Sequence, residues 1–444
     1  MKKQIKSAFV NSIIVTVIFI IAYAFYNIEI VRANIEDIAY DAINKFVIEK
    51  KEAKAKAPNI FILAIDDNFM KANKLYDEDN TSNYGYTLPR DKLAQIIKSV
   101  DELTSEIEPQ NQPKALFLDY DIVFSTMPYG KELSKEDIEF LNTLKKDRNY
   151  TIILPKTNKY NFVQTSKDSK IQKLIKQNKI IFASVGLLKS SDNSIRRYPT
   201  FQSIKEINGS TTIYPNVNVL LYFMLTKNKI PTIAEINSTL KANDIIANRI
   251  RLKGYKSSLS EGQCTTTQSY WKNLTKLSAN CNFFEIDEED YKNSIIMVGG
   301  THQNNDDSFE VLNVLSAEAM TGVEIHANAL LTLLYLNGQT NRLSLPISAT
   351  LIFVTFFLTS ILVSSILSLF KIKKSSVNFI VTLIINTAIL IAISIYLLIK
   401  HNLWFNWFVP LILFEAVEAI DFIKDYTPKI INKIRKKSKN KDRL

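Results

Sequence analysis

The sequence predicts an α/β domain built on a largely parallel sheet and lying outside the cytoplasm. An all-α membrane part, with one N-terminal and three C-terminal transmembrane helices, is predicted to hold it there. Three observations carry this reading. Strand-like apolar runs alternate with helical patterns between residues 59 and 345, four longer apolar stretches flank that region, and the basic residues collect beside those stretches.

Four stretches are apolar enough for membrane spans of about 20 residues each: Phe9 to Tyr26, Pro346 to Phe370, Val377 to Ile399 and Leu403 to Phe422. The 444-residue chain has a formal net charge of +11, which by itself suits nucleic acid or anionic lipid. Its placement argues for lipid. Lys2, Lys3 and Lys6 precede the first stretch, Lys371, Lys373 and Lys374 follow the second, and the tail from Lys424 ends in IRKKSKNKDRL. All three segments face the cytoplasm if the first span runs outward, so the positive-inside rule gives one consistent topology. Residues 27–345 are then extracytoplasmic, 1–8 and 423–444 are cytoplasmic, and the expected partner is the lipid membrane rather than nucleic acid. Ala22-Tyr23-Ala24 has the form of a signal-peptidase site, but the apolar run continues through Phe25 and Tyr26, which argues for a retained anchor. Glu415 and Glu418 lie three apart in the last stretch, with Asp421 after them. They form either an interfacial acidic face or a polar contact to another helix. Trp404 and Trp407 predict interfacial anchors.

After the first span, Ile30, Ile35, Ile38, Ile43, Phe46 and Val47 repeat at helix spacing, which predicts a connecting helix over 27–58 that stops at Pro58. From Asn59 the runs NIFILAID, ALFLDYDIVF, TIILP, IIFASVGLL, NRIRL, NFFEID and SIIMVG predict strands, several of them apolar on both faces. PRDKLAQIIKSVDEL, with Leu93, Ile96, Ile97 and Val100 on one face, and YPNVNVLLYFML predict helices. Polar stretches around 68–86, 125–147 and 254–279 are expected as surface loops. Cys264 and Cys281 both fall in the outer region, where an oxidising compartment permits a disulfide. A bridge there would contribute roughly 3 kcal/mol in the chain-entropy model; two unpaired thiols are the alternative.

Asp66 and Asp67 close an apolar strand, the place where open α/β sheets bind ligands. Asp119 and Asp121 are placed likewise, and in a period-two element they share one face. Such carboxylates bind a cation, accept hydrogen bonds from a ligand, or pair with Arg90, Arg196 or Arg197 in a buried network that fixes the loops. In VGGTHQNNDD, residues 298–307, Gly299 and Gly300 are expected to turn the chain off the last strand, and Asp306 or Asp307 to join the acidic rim. His302 and His326 are the outer region's two histidines, too thin a set for a metal centre. His326, in the helix start GVEIHANALLTLL, is expected as a hydrogen-bonded core histidine. The region has no Gly-x-Ser-x-Gly elbow, P-loop or dinucleotide fingerprint, so no cofactor and no nucleophilic catalysis are expected.

Taken in order, FILAIDD at 61–67, Tyr86-Thr87-Leu88-Pro89-Arg90, ALFLDYDIVF, Asp192-Asn193-Ser194-Ile195-Arg196-Arg197-Tyr198-Pro199, SIIMVGGTHQNNDD and Gly322-Val323-Glu324-Ile325-His326-Ala327 resemble the motifs of one family. This is the second type of CHASE domain, the cyclase/histidine-kinase-associated sensory extracellular domain of bacterial membrane receptors. The resemblance covers about 30–343 and, with the closing spans, nearly the whole chain up to Phe422. Three details depart from the pattern: the usual Trp arrangement before Pro89 is lost, a Thr-Pro after the loop aspartate is absent, and Asn193 stands where Gly is usual. Asn is the ordinary residue best able to replace Gly in a left-handed turn.

The resemblance implies a non-enzymatic receptor of the bacterial inner membrane whose outer domain senses a small ligand or a protein. Such receptors commonly continue into a cyclase or kinase domain. Here about twenty residues follow the last span, too few for either, so a separate cytoplasmic or membrane effector is the expected partner, and a homo-oligomer is a further possibility. The expected ligand-binding set is Asp66, Asp67, Arg90, Asp119, Asp121, Arg196, Asp306 and Asp307. A scaffold subunit of an envelope complex is the alternative function, and an extracytoplasmic hydrolase the third.

Overall fold

The computed structural model describes residues 2–25, 57–76, 88–122, 132–190, 193–240, 248–249, 255–261, 264–269, 273–280, 287–302, 307–311, 319–335, 343–369, 375–401 and 403–405. Most of the connecting helix expected over 27–58, the strand expected over NFFEID, Cys281, Asp306 and all of the last apolar stretch beyond Phe405 lie outside the described residues. The chain divides into two compact units, residues 48–340 and residues 1–47 with 341–444.

In the first of these units the strands are β1 (Ile60–Ile65), β2 (Ala115–Asp119), β3 (Thr151–Pro155), β4 (Ile180–Ala183), β5 (Leu188–Lys189), β6 (Ile195–Tyr198), β7 (Phe201–Lys205), β8 (Thr211–Pro215), β9 (Asn248–Arg249), β10 (Tyr255–Glu261), β11 (Cys264–Ser269), β12 (Leu274–Ser278), β13 (Ile295–Gly300), β14 (Ser308–Glu310) and β15 (Ala319–Thr321). Eight of them form one sheet in the order β10-β11-β12-β1-β13-β2-β3-β4. From β12 to β4 every pairing is parallel, and β10 and β11 add an antiparallel edge. All six residues of β1 and of β13 are buried, as expected for strands covered on both faces.

Alternation along each strand builds two cores. Phe61, Leu63, Leu116, Leu118 and Ile152 face the helices Arg90–Glu106, Lys135–Leu144 and Ser169–Lys176. Ile60, Ile62, Phe117, Ile153 and Met297 face the helices Val217–Lys227 and Gly322–Tyr335. In Arg90–Glu106 the side chains of Leu93, Ile97 and Val100 are fully buried at helix spacing. Each such burial stabilises by roughly 1.5–3 kcal/mol. A buried ion pair ties the helix Arg90–Glu106 to the loop between Lys135–Leu144 and β3: Arg148 donates to both Asp101 carboxylate oxygens at 2.7 and 2.8 Å, and the Tyr150 hydroxyl donates to Asp101 at 2.6 Å.

Four expectations are corrected. Residues 254–279 are not a surface loop: β10, β11 and β12 lie there and carry the sheet outward from β1. The stretch 125–147 contains the helix Lys135–Leu144, capped by the Ser134 hydroxyl, and 68–86 begins within the short helix Asp67–Ala72. Gly299 and Gly300 do not turn the chain but complete β13. A Cβ at Gly299 would stand 2.4 Å from the Val323 Cβ, so the glycine lets the helix Gly322–Tyr335 pack directly on the strand. Asn193 has φ 63, the left-handed turn expected of it.

The other unit holds the helices Lys2–Phe25, Leu345–Leu369 and Ser375–His401. Among the described residues one helical stretch, Leu345–Val363, is long and apolar enough to cross a membrane, while the apolar parts Ala8–Ile21 and Ile384–Leu398 are shorter. Val15, Phe19, Ile352, Phe356, Leu390 and Phe405 form the unit's core. Trp404 is buried rather than presented at an interface, and its carbonyl accepts from the Leu343 N–H at 3.0 Å.

Two substitutions test this packing by denaturant titration of the purified chain. Asp101→Ala strands the Arg148 charge, 4% exposed, and is expected to cost about 3–5 kcal/mol. Gly299→Ala is expected to cost about 1–3 kcal/mol through overpacking. An unchanged midpoint for either variant would contradict the contact it removes.

Candidate functional site

The carboxyl ends of β1, β13 and β2 lie side by side, with Ile65 opposite Gly300 and Gly299 opposite Asp119. Chain leaving β1 and β2 leads to helices on one face, whereas chain leaving β13 leads to the helix Gly322–Tyr335 on the other. Neighbouring strands whose connections part to opposite faces leave a crevice at the sheet edge, the usual place for ligands in open α/β sheets. The predicted aspartates occupy this edge, but they do different things there.

Asp66 is a helix cap. Its Oδ1 accepts from the Phe69 N–H and from the Ser278 hydroxyl, each at 2.9 Å, so it ties the start of the helix Asp67–Ala72 to the end of β12. The Tyr76 hydroxyl donates to Asp67, and the Tyr76 ring packs edge-on against His302. Burial pushes the Tyr76 phenol well above its ordinary range, with the Asp67 hydrogen bond adding to it. These groups read as structure at the rim.

Arg90 is buried at the start of the helix Arg90–Glu106, directly after Pro89. Its Nη2 donates to the Asp121 carbonyl at 2.8 Å and its guanidinium lies 5.6 Å from the centre of the Phe162 ring. Burial lowers its pKa, opposed by the charges of Asp137, Asp121 and Glu136. β2 ends at Asp119, so no strand holds Asp119 and Asp121 on one face; Asp121 is exposed beyond it. Arg196 and Arg197 are buried on β6, in the small sheet β5-β6-β9 rather than on the main-sheet edge.

Asp119 and Asp307 form the chemically distinctive pair. Ala115 and Phe117 face the helix Gly322–Tyr335, and period two directs Asp119 to the same face. Asp307 lies against the start of that helix: a Cβ at Gly322 would come within 2.1 Å of its Oδ2, and its carbonyl accepts from the Gly322 N–H at 2.9 Å. Only glycine at 322 leaves room for this carboxylate. Burial pushes Asp119 well above the ordinary carboxylate range, and the neighbouring Asp307 charge adds to it. Asp307 is pushed up to about 6 by burial, against a hydrogen bond from the Gly322 backbone and the charge of Lys189. Asp119 as a residue keeps some exposure, but its Oδ2 is buried and has no hydrogen-bond partner among the described residues. The pair can accept hydrogen bonds from a cationic or donor group, and burial with like charge favours the protonated form of Asp119.

Two neighbours stabilise the surroundings. Glu324 accepts from the Thr321 N–H at 2.9 Å and from Lys276 Nζ at 2.8 Å, a capping-box arrangement that fixes the helix start. Lys156, 0% exposed after β3, reaches Glu206 at 3.1 Å and Gln164 at 2.6 Å. Lys156 was not among the expected site residues; its signal in the sequence is a lysine directly after the buried run TIILP. His326 is the core histidine expected: Asn218 Nδ2 lies 3.1 Å from its Nδ1, Phe117 packs edge-on against it, and burial holds it down at about 4. Among the described residues no group of three or more His, Cys, Asp or Glu side chains could hold a metal.

The fold is a three-layer α/β domain with a crevice at the carboxyl edge of its sheet. A family model for the CHASE2 domain matches residues 13–366, and the chain belongs to that family of sensory extracellular domains. No curated protein and no solved structure matches the chain.

Acid titration separates the buried groups. An unfolded histidine titrates near 6.5, so as pH falls from about 6.5 to 4 the unfolded chain takes up the His326 proton first and stability is lost, by roughly 3 kcal/mol. Asp307 has the opposite sign: folded, it takes up its proton before the unfolded carboxylate does, so its contribution is lost as pH rises through about 6. Asp307→Asn is therefore expected to stabilise at pH 7 and to have little effect near pH 4, whereas His326→Gln flattens the acid limb. Denaturant midpoints across pH 4–7 measure both, and a loss of stability by Asp307→Asn at pH 7 contradicts the assignment.

Proposed function

We propose that the protein is a membrane-anchored receptor of a bacterial inner membrane, binding rather than catalytic. Its outer domain takes up a ligand at the β1-β13-β2 crevice and passes the bound state through its helices to a separate effector. The observation that carries this reading is the span of the family match: residues 13–366 run from the helix Lys2–Phe25 through the whole α/β unit into the helix Leu345–Leu369. Membrane placement is supported by the surface of those helices. Phe9, Ile13, Val17, Ile21, Val354, Leu358 and Leu362 on them, and Ile384 on the helix Ser375–His401, are each more than 40% exposed, an apolar surface that water does not sustain but hydrocarbon does. Lysines at 2, 3, 6, 371, 373 and 374 and the basic tail then lie on the cytoplasmic side, giving four spans with the α/β unit outside.

Asp119 and Asp307 form the centre of the ligand site in this reading, with Asp67, Arg90 and Asp121 at its rim and Asp66 holding the rim in place. A ligand with a cationic or hydrogen-bond-donating group relieves the cost of two buried carboxylates, and this differential affinity is what shifts a receptor between states. The full-length protein in nanodiscs, screened against cationic small molecules, is expected to show a saturable rise in melting temperature. At a ligand concentration about 100 times Kd the gain is about 2.7 kcal/mol. Asp119→Asn is expected to abolish it while the protein remains folded; a shift that survives both Asp119→Asn and Asp307→Asn places the ligand elsewhere. With Cys264 and Cys281 replaced by Ser, Thr126→Cys and Ser438→Cys, probed in intact cells with an impermeant maleimide, are expected to label and to stay protected respectively; the reverse pattern overturns the topology.

A further inference from the structure

Four segments bound the crevice, and named contacts join each to the next. On β2, Phe117 packs edge-on against His326, and Asp119, two residues on, shares its face. On the helix Gly322–Tyr335, Gly322 stands one turn before His326 and leaves room for the Asp307 carboxylate. The segment between β4 and β5 reaches the same imidazole, where the Val185 carbonyl accepts from His326. Four residues later the ammonium of Lys189, exposed on β5, stands over the Phe309 ring at 5.2 Å from its centre, and Phe309 on β14 follows Asp307 by two residues. β2, the helix, the 185–189 segment and β14 therefore close a circuit around the two carboxylates.

At its inner side this circuit is short of donors. Because the Val185 carbonyl takes the imidazole proton, His326 Nδ1 accepts from Asn218 Nδ2 at 3.1 Å, and this fixes which way the amide points. Asn218 Oδ1 is the atom left over: the residue is 0% exposed, and Oδ1 has no hydrogen-bond partner among the described residues. Asp119 Oδ2 is in the same condition. Buried oxygens of this kind call for a donor. The mouth has the opposite sign. Lys189 is the cation there, and its charge reaches Asp307. A ligand that brought a bare cation to the acids would bring it toward Lys189 as well, and like charges repel. A ligand with an anion behind its cation complements both ends.

We propose that the crevice takes a small zwitterion of the amino-carboxylic acid class, its ammonium toward Asp119 and Asp307 and its carboxylate toward Lys189. This rests on the receptor reading above and narrows it. An ammonium has three protons, which serve the oxygens of Asp119, Asp307 and Asn218, and the Phe309 ring offers an apolar wall to the carbon skeleton. A polyamine is the poorer occupant because it leaves Lys189 uncompensated. Lys189 is then the residue that sets specificity, while the acids hold the ammonium.

Thermal shift of the full-length protein in nanodiscs tests this with matched probes: the standard L-amino acids and γ-aminobutyrate, each beside its methyl ester, and putrescine. Esterification removes the carboxylate charge and keeps the ammonium. At least one amino acid is expected to raise the melting temperature saturably, with half-saturation at about tenfold lower concentration than its ester. Lys189→Met, which keeps an unbranched stem beside Phe309, is expected to erase that preference and Lys189→Arg to retain it. Asp119→Asn is expected to lose acid and ester alike. If esters and putrescine shift the protein as strongly as the amino acids do, or if the preference persists in Lys189→Met, the zwitterion assignment is overturned while the cation-binding crevice stands. If nothing in the panel shifts the wild type, the small-ligand reading falls with it.

Discussion

The α/β unit depends on one late insertion. β13 lies between β1 and β2, hydrogen-bonded to both, although more than 200 residues of chain separate it from β1. Until it arrives, β1 and β2 have no common neighbour and the sheet is two fragments. Closing so long a loop costs conformational entropy before any pairing offsets it, and the strand answers with six buried residues and a double ladder of hydrogen bonds. The same insertion produces the crevice. Because β13 enters between two strands whose connections go to one face and itself leaves to the other, the sheet edge cannot close over at that point.

Glycine makes the insertion geometrically possible at its far end. Val323 lies where a side chain at 299 would be, and the Asp307 carboxylate lies where one at 322 would be. Helix, strand and carboxylate therefore meet within a few ångströms, and Asp119 comes into the same space from β2. Two carboxylates in such a place oppose folding at neutral pH, since desolvation and mutual repulsion both favour their protonated forms. Natural chains tolerate a local cost of this kind where function uses it. Asp66, by contrast, is fully employed as a cap, and Asp101 with Arg148 as a buried brace. What separates these structural acids from Asp119 is hydrogen-bond partners, not residue type: Asp119 Oδ2 has none among the described residues.

Much of this was legible in the sequence, for physical reasons that also explain the rest. Strands covered on both faces must be apolar throughout, so IFILAI, ALFL, TIILP and SIIMVG stand out as runs. The antiparallel edge does not: YKSSLSE, CTTTQS and LTKLS are rich in Ser, Thr and Lys, and only their Thr content and partial alternation pointed to strand. Position at the sheet edge was readable for Asp66 and Asp119, because a carboxylate directly after an apolar run has nowhere else to go. Which of them stays available was not, since that depends on Ser278, more than 200 residues away in sequence, meeting Asp66, and on Gly322 making room for Asp307. Gly299 misled for a related reason. A glycine pair after a strand is consistent with a turn and with close packing alike, and only the neighbour decides between them.

In the membrane placement proposed for the helical unit, the same logic of satisfaction works with a harsher solvent. Water can complete the hydrogen bonds of a half-partnered amide at a protein surface; hydrocarbon cannot, and a buried stripe of otherwise apolar or bonded side chains offers no substitute. Thr359 and Ser394 meet this demand through neighbouring carbonyls, the habit of hydroxyl residues in apolar helices. Asn386 meets part of it across the helix pair, where its Oδ1 accepts from Thr359 Oγ1 at 2.5 Å. Interhelical hydrogen bonds of this type contribute modestly to stability, about 0.6–2 kcal/mol each, but they fix rotation and depth in a way that interchangeable apolar contacts do not. In the receptor reading proposed above, that definition matters more than the energy.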